Sequence, residues 1–161
     1  MMKLFKRINK TVEFYLPDLG YDVNAYIRAS NKQGIHHVGR YQWATSLVTG
    51  KKRILDIACG AGYGAMMYSK QNNTAEIIGA DYDERAVHYA NKNFSAANLS
   101  YKVGNLETWQ WADGKPMGKF DLISSFDTIE HLHHREIAMI KLCDALTDDG
   151  MLLLSTPCGH R

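Results

Sequence analysis

The chain has 161 residues, 45% of them hydrophobic, which fits one domain around a single core and requires no second one. Its 19 basic and 17 acidic residues leave a net charge of +2, and they are spread along the sequence rather than gathered in a block, so no nucleic-acid partner is expected. Three cysteines, Cys59, Cys143 and Cys158, form no C-x-x-C pair and their odd number argues against a disulfide framework, which makes a reducing cytoplasm the expected compartment.

The N-terminal stretch 1–10 is basic but lacks the apolar run of a secretion signal, and no later stretch is long and apolar enough for a membrane span. Leu4, Phe5, Ile8 and Val12 can form one face of a basic amphipathic helix. Packing of that face on the domain is its ordinary reading, and contact with a membrane surface is the other. Pro17, Gly20 and the polar residues 30–34 punctuate an irregular N-terminal segment, so residues 1–34 stand apart from a folded domain over 35–161.

Ile35, Val38, Trp43, Ala44, Leu47 and Val48 predict a helix closed by Gly50. Strands and helices then alternate, with strands near 53–58, 76–80, 100–103, 120–126 and 151–155 and helices near 62–72, 84–96 and 134–146. Asp83 is placed as the N-cap of the middle helix, ahead of Ala86, Val87, Ala90 and Phe94. In the last helix Met139, Leu142, Cys143 and Leu146 share a face, and residues 147–150 form the turn that ends it. Short, continuously apolar strands separated by helices predict an α/β fold: a mostly parallel sheet with helices on both faces, its strand ends brought to one carboxyl edge by right-handed crossovers.

The first strand, Arg53-Ile54-Leu55-Asp56-Ile57, carries a carboxylate and empties into Ala58-Cys59-Gly60-Ala61-Gly62-Tyr63-Gly64, a turn that lets the backbone approach a ligand closely. The next strand, Ile77-Ile78-Gly79-Ala80-Asp81, ends in an acid that can accept from both hydroxyls of a ribose. Dinucleotide folds require G-x-G-x-x-G, whereas here glycines alternate with other residues and Asp56 precedes them. This pattern resembles the class I S-adenosylmethionine-dependent methyltransferases, and the likeness runs over residues 41–157.

The resemblance implies a Rossmann-like, doubly wound sheet that binds S-adenosylmethionine. Asp56, Ala58, Gly60 and Gly62 would hold its methionine end, Asp81 its ribose and Asn105 its adenine, and Tyr82, Leu106 and Phe126 are further expected cofactor-binding residues. Two positions depart from the family. Ala58 replaces the usual glycine and is tolerated if the backbone there needs no positive φ. Asn105 replaces an aspartate that binds the adenine amino group; its amide oxygen can still accept from that group, or the residue serves only a turn. Complete members continue with another helix and an antiparallel pair of strands, so the resemblance implies a sheet lacking the usual last two strands. A homodimer, or the N-terminal segment, is then expected to cover the open edge at 151–154.

The stretch 119–132 resembles the fourth strand and following loop of small-molecule O-methyltransferases. A sulfonium methyl is already electrophilic, so the protein must chiefly align an acceptor, exclude water and remove a proton from an acceptor hydroxyl. His131 is the candidate base; a plain surface histidine beside His133 and His134 is the alternative. Asp127, Glu130 and His131 could share a metal, as matching residues do in some relatives, but further ligands are needed and no metal is expected. Arg40 with Tyr41 resembles an Arg-Tyr pair found ahead of the glycine loop in many relatives; Arg40 could clamp the cofactor carboxylate, and a solvated helix arginine is the other reading. Trp109 and Trp111 could stack on a substrate, though packing against the sheet is their ordinary reading, and Pro157-Cys158 follows the fifth strand, the wrong place for a nucleophile.

The expected function is methyl transfer from S-adenosylmethionine to a small-molecule acceptor, at oxygen. A non-catalytic cofactor-binding or regulatory module is the first alternative. A nicotinamide-dependent oxidoreductase is the second, disfavoured by the glycine spacing and by the lack of a Tyr-x-x-x-Lys pair.

Overall fold

A computed structural model describes residue 17 and residues 22–28 and 32–157. Leu4, Phe5, Ile8, Val12, Gly20 and Cys158 lie outside the described residues.

In chain order the elements are α1 (Val23–Arg28), α2 (Lys32–Thr45), β1 (Arg53–Ile57), α3 (Tyr63–Gln71), β2 (Glu76–Asp81), α4 (Glu84–Asn93), β3 (Leu99–Asn105), β4 (Gln110–Trp111), β5 (Phe120–Phe126), a 3-10 turn (Ile129–His131), α5 (Arg135–Asp144) and β6 (Leu146–Ser155). The strands form one sheet in the order β4-β3-β2-β1-β5-β6. Every neighbouring pair is parallel except the short β3–β4 pairing. This is the Rossmann-like α/β fold expected.

Strand alternation builds two cores. Ile54, Ile77 and Leu122 pack with Val38, Tyr41 and Ala44 of α2, Ala65 and Tyr68 of α3, and Val87 and Ala90 of α4. Leu55, Ile57, Ile78, Ala80 and Ile123 face the other way, against Ala138 and Leu142 of α5 and the connector residues Leu106, Trp109 and Met117. Asp56, two residues after Ile54, is thereby turned into the first core, where it is 0% exposed.

Several boundaries differ from expectation. The stretch predicted as irregular contains α1, whose Val23 and Tyr26 are buried; its cap is Asp22, which accepts the Asn24 N–H at 2.9 Å. In α2 the core face is Val38, Tyr41 and Ala44, with Val48 just beyond, whereas Ile35 and Trp43 are exposed. Helix α4 starts on its expected cap, Asp83 accepting from Arg85 N–H at 2.9 Å, but ends at Asn93. Helix α5 ends at Asp144 and buries Ala138 and Leu142, leaving Met139 half-buried and Cys143 exposed.

Residues 147–150 do not form a free turn. β6 already pairs at Leu146 with Phe120, and its next partners are Met151 and Leu122, so the intervening residues bulge from the strand. A Cβ on Gly150 would stand 2.8 Å from that of Leu146, so the bulge closes only around a glycine. β4 has two residues and no periodicity by which a sequence could announce it. Trp109 is a packing residue: it meets Phe120 edge-on at 6.4 Å, and its indole N–H donates to Gly118 O at 3.2 Å.

Candidate functional site

The parallel strands end at a common edge, and the turn after β1 runs along it. Ala58, Gly60 and Gly62 have φ of 60°, 53° and 86°. Gly62 is also packed shut: a Cβ there would stand 2.6 Å from that of Ala90 and 2.7 Å from Cε1 of Tyr101, whose hydroxyl donates to Gly62 O at 2.7 Å. Ala58 therefore occupies the left-handed region, contrary to the condition under which it was expected to be tolerated. An L-residue there costs about 1–2 kcal/mol. Ala58→Gly is expected to stabilise the protein by about 0.5–1 kcal/mol, the gain being partly offset by a more flexible unfolded chain; a urea midpoint lower than that of the wild type contradicts it.

Asp81 is tied to the same turn. Its Oδ2 accepts from Gly60 N–H at 2.8 Å and its Oδ1 from Asp83 N–H at 3.0 Å. Burial pushes its carboxyl above the usual range, and these backbone donors oppose that shift. Each oxygen keeps acceptor capacity for a ligand hydroxyl. Tyr82, next in the chain, is 57% exposed.

Asp56 faces Ser124, which donates at 2.7 Å, and Tyr41, whose hydroxyl stands 3.2 Å from both carboxylate oxygens. Burial pushes the Asp56 carboxyl up to about 7 against these hydrogen bonds. The Tyr41 ring is hemmed in by Tyr63, Tyr68 and Phe126, with centroids at 5.3, 5.7 and 5.1 Å.

Arg40 leaves α2 toward Asp127 and pairs with its carboxylate. His37, one turn earlier, brings Nδ1 to 3.1 Å from Arg40 and 3.3 Å from Asp127, while Ser155 Oγ donates to Asp127 at 3.1 Å. Burial, and then the Arg40 charge, push the His37 pKa down. Arg40 Nε is buried with no partner among the described residues.

Asn105 is engaged as a turn residue. Its Oδ1 accepts from the N–H groups of Glu107 and Thr108 at 2.8 and 3.2 Å. A cleft of about 260 Å³ opens beside it, lined among others by Tyr82, Asn105, Thr108 and Trp111. Leu106 is buried in the second core. His131 sits exposed on the 3-10 turn, its Nε2 3.9 Å from Glu130 Oε1; Glu130 Oε2 accepts from the Thr156 hydroxyl. Among the described residues no group of three His, Cys, Asp or Glu side chains is placed to hold a metal.

The edge thus gathers Asp56, Ala58, Gly60, Gly62 and Asp81 around one turn and links Arg40 to the end of β5 through Asp127. His37, Tyr101 and Ser124 were not singled out from the sequence. His37 and Arg40 lie three apart on one helix face, a spacing that signals the first; the Asp56–Ser124 pairing across β1 and β5 has no local signal. A carboxylate with spare acceptor capacity beside a glycine turn, an arginine with an unpaired buried nitrogen, and a cleft flanked by Tyr82 fit S-adenosylmethionine, whose parts are a charged amino acid, a ribose and a base.

Comparison with known proteins agrees. A family model described as "Methyltransferase domain" matches residues 49–161. The juvenile hormone acid O-methyltransferase of Bombyx mori is 30% identical over 63% of this chain and 37% of its own length. The malonyl-[acyl-carrier protein] O-methyltransferase of Bacillus cereus is 25% identical over 95% of this chain and 55% of its own. The chain therefore spans about a third to a half of the length of these relatives. The N-methyltransferase NodS of Bradyrhizobium japonicum, solved with S-adenosylhomocysteine, shares the fold with a TM-score of 0.61 at 19% identity, over 78% of this chain and 62% of that one. The chain belongs to the class I S-adenosylmethionine-dependent methyltransferase family.

Proposed function

We propose that this chain binds S-adenosylmethionine along its carboxyl edge and transfers the methyl group to a small-molecule acceptor, at oxygen. The observation that carries the reading is the contact of Asp81 with the Gly60 N–H at 2.8 Å, which joins a ribose-type carboxylate to a glycine turn. When bound, the cofactor supplies an electrophilic methyl on a sulfonium. The chain supplies the rest. Asp81 accepts from the ribose hydroxyls, and Gly60 and Gly62 admit the ligand against the backbone, with Asp56 and Ala58 shaping the turn from beneath. Arg40 offers its guanidinium to the amino-acid carboxylate; Tyr82 and Asn105 bound the base, Leu106 anchors the residue after Asn105 in the second core, and Phe126 backs the pocket through Tyr41. His131, exposed beyond β5, takes the proton of an acceptor hydroxyl.

The reading separates binding from turnover. Asp81→Ala is expected to weaken S-adenosylhomocysteine binding by about tenfold or more in calorimetry, from the loss of charge-assisted hydrogen bonds. His131→Ala is expected to leave that affinity within about twofold while lowering kcat by about 100-fold or more with the true acceptor. Unchanged turnover of His131→Ala removes it as the base. Binding without transfer is a second reading, favoured by the left-handed Ala58 and by the commitment of Arg40 to Asp127; it requires binding with no methyl transfer across an acceptor screen.

A cytoplasmic location is part of this proposal, supported by three cysteines that form no C-x-x-C pair; among the described helices none is long and apolar enough to cross a membrane. The outer edge of β6 has no strand beside it among the described residues, and Met151 and Leu154 are each 38% exposed there; pairing of two copies along this edge accounts for that exposure.

A further inference from the structure

In reading a purine, an amide side chain ordinarily uses both its ends: the oxygen accepts from the 6-amino group and the nitrogen donates to a ring nitrogen. Asn105 does not have both ends available. Its Oδ1 already accepts two backbone N–H groups, from Glu107 at 2.8 Å and Thr108 at 3.2 Å. That pair of donors also fixes which end is oxygen, because the flipped amide would set its own N–H groups against them. Nδ2 has no hydrogen-bond partner among the described residues and is the end Asn105 can offer to a ligand in the cleft it lines with Tyr82 and Trp111.

We infer that Asn105 recognises the cofactor base as a donor only, so that this site does not distinguish a 6-amino from a 6-oxo purine. The inference rests on the cofactor reading above and specifies how the base is selected there. A donor at Nδ2 serves N1 or N7 of adenine, and equally O6 or N7 of hypoxanthine. An aspartate at 105 keeps one oxygen for the Glu107 and Thr108 amides and turns the second to the ligand as an acceptor. It favours the amino group and repels the 6-oxo group. Position 105 then sets the preference at the 6-position, with Tyr82 supplying an aromatic surface that any purine can use.

The test is calorimetric titration of the full chain with S-adenosylhomocysteine and with its deaminated counterpart, S-inosylhomocysteine, in the wild type and in Asn105→Asp. The expected result is binding of both by the wild type within about threefold of each other, and a preference of about tenfold or more for the adenosyl compound in Asn105→Asp. A wild type that already prefers the adenosyl compound by tenfold, or an Asn105→Asp variant with an unchanged ratio, overturns the inference and leaves the cofactor reading standing. Binding of neither compound by the wild type overturns both.

Discussion

Asp56→Asn is expected to make the protein more stable at pH 8 by about 2–4 kcal/mol, while leaving its stability at pH 4 close to that of the wild type. The Asp56 carboxyl is fully buried, and burial raises it to about 7 despite the hydrogen bonds from Ser124 and Tyr41. In the unfolded chain the same group titrates near ~4. Its pKa is thus raised on folding, so the neutral form favours the native state. That stability is fully present below about pH 4, declines as pH rises, and is lost once pH has passed through about 7. The difference between the unfolded value and about 7 corresponds to roughly 4 kcal/mol, and the hydroxyls that solvate the ionised form are the reason to expect somewhat less. Asparagine stays neutral throughout, accepting from Ser124 and donating to the Tyr41 oxygen. Urea unfolding between pH 4 and 9 reads the effect as a wild-type midpoint that falls with pH and a variant midpoint that stays nearly flat. A variant less stable than the wild type at pH 8 means that the carboxylate is ionised in the native protein and well held.

Gly64→Ala has the largest expected effect of opposite sign. A Cβ at Gly64 would stand 2.0 Å from Cε1 of Tyr41. The ring cannot retreat, because Tyr63, Tyr68 and Phe126 surround it and its hydroxyl is bonded to Asp56. Helix propensity returns about 1 kcal/mol, but displacing Tyr41 overpacks the first core and strips a donor from a buried carboxylate. The net loss is about 3 kcal/mol or more, or roughly 10 °C in melting temperature for a chain of this size. Gly39→Ala, at a half-buried position of α2 where a Cβ meets nothing within 4 Å, is the control and is expected to raise stability by about 0.5–1 kcal/mol. A Gly64→Ala variant melting within 2 °C or so of the wild type, on the same scale of ~3 °C per kcal/mol, contradicts the packing described.

Features written in consecutive residues were legible. The strand entering the glycine turn, the acid closing β2, the cap at Asp83 and the parallel sheet covered on both faces follow from local periodicity and turn chemistry. What sequence did not disclose depends on lateral register or on where a small side chain spends its hydrogen bonds. Asp56 is a core carboxylate because β1 lies beside β5 in a register that places Ser124 opposite it and because α2 crosses above. The role of Arg40 depends on Asp127, which reaches it from a position remote in sequence. Asn105 carries the same letters whether its oxygen faces a ligand or its own turn, and only the positions of the Glu107 and Thr108 amides distinguish the two. The bulge at 147–150 reads as a turn because its residues are turn formers; the pairing of Leu146 with Phe120 absorbs it into β6.

We propose above that the edge formed by the glycine turn and Asp81 is a pocket for S-adenosylmethionine. Calorimetric titration of the purified chain with S-adenosylhomocysteine and NADH tests it most directly. Saturable binding of S-adenosylhomocysteine, abolished or strongly weakened in Asp81→Ala and with no heat from NADH, is the predicted result. Binding of NADH in its place, or of neither, contradicts it.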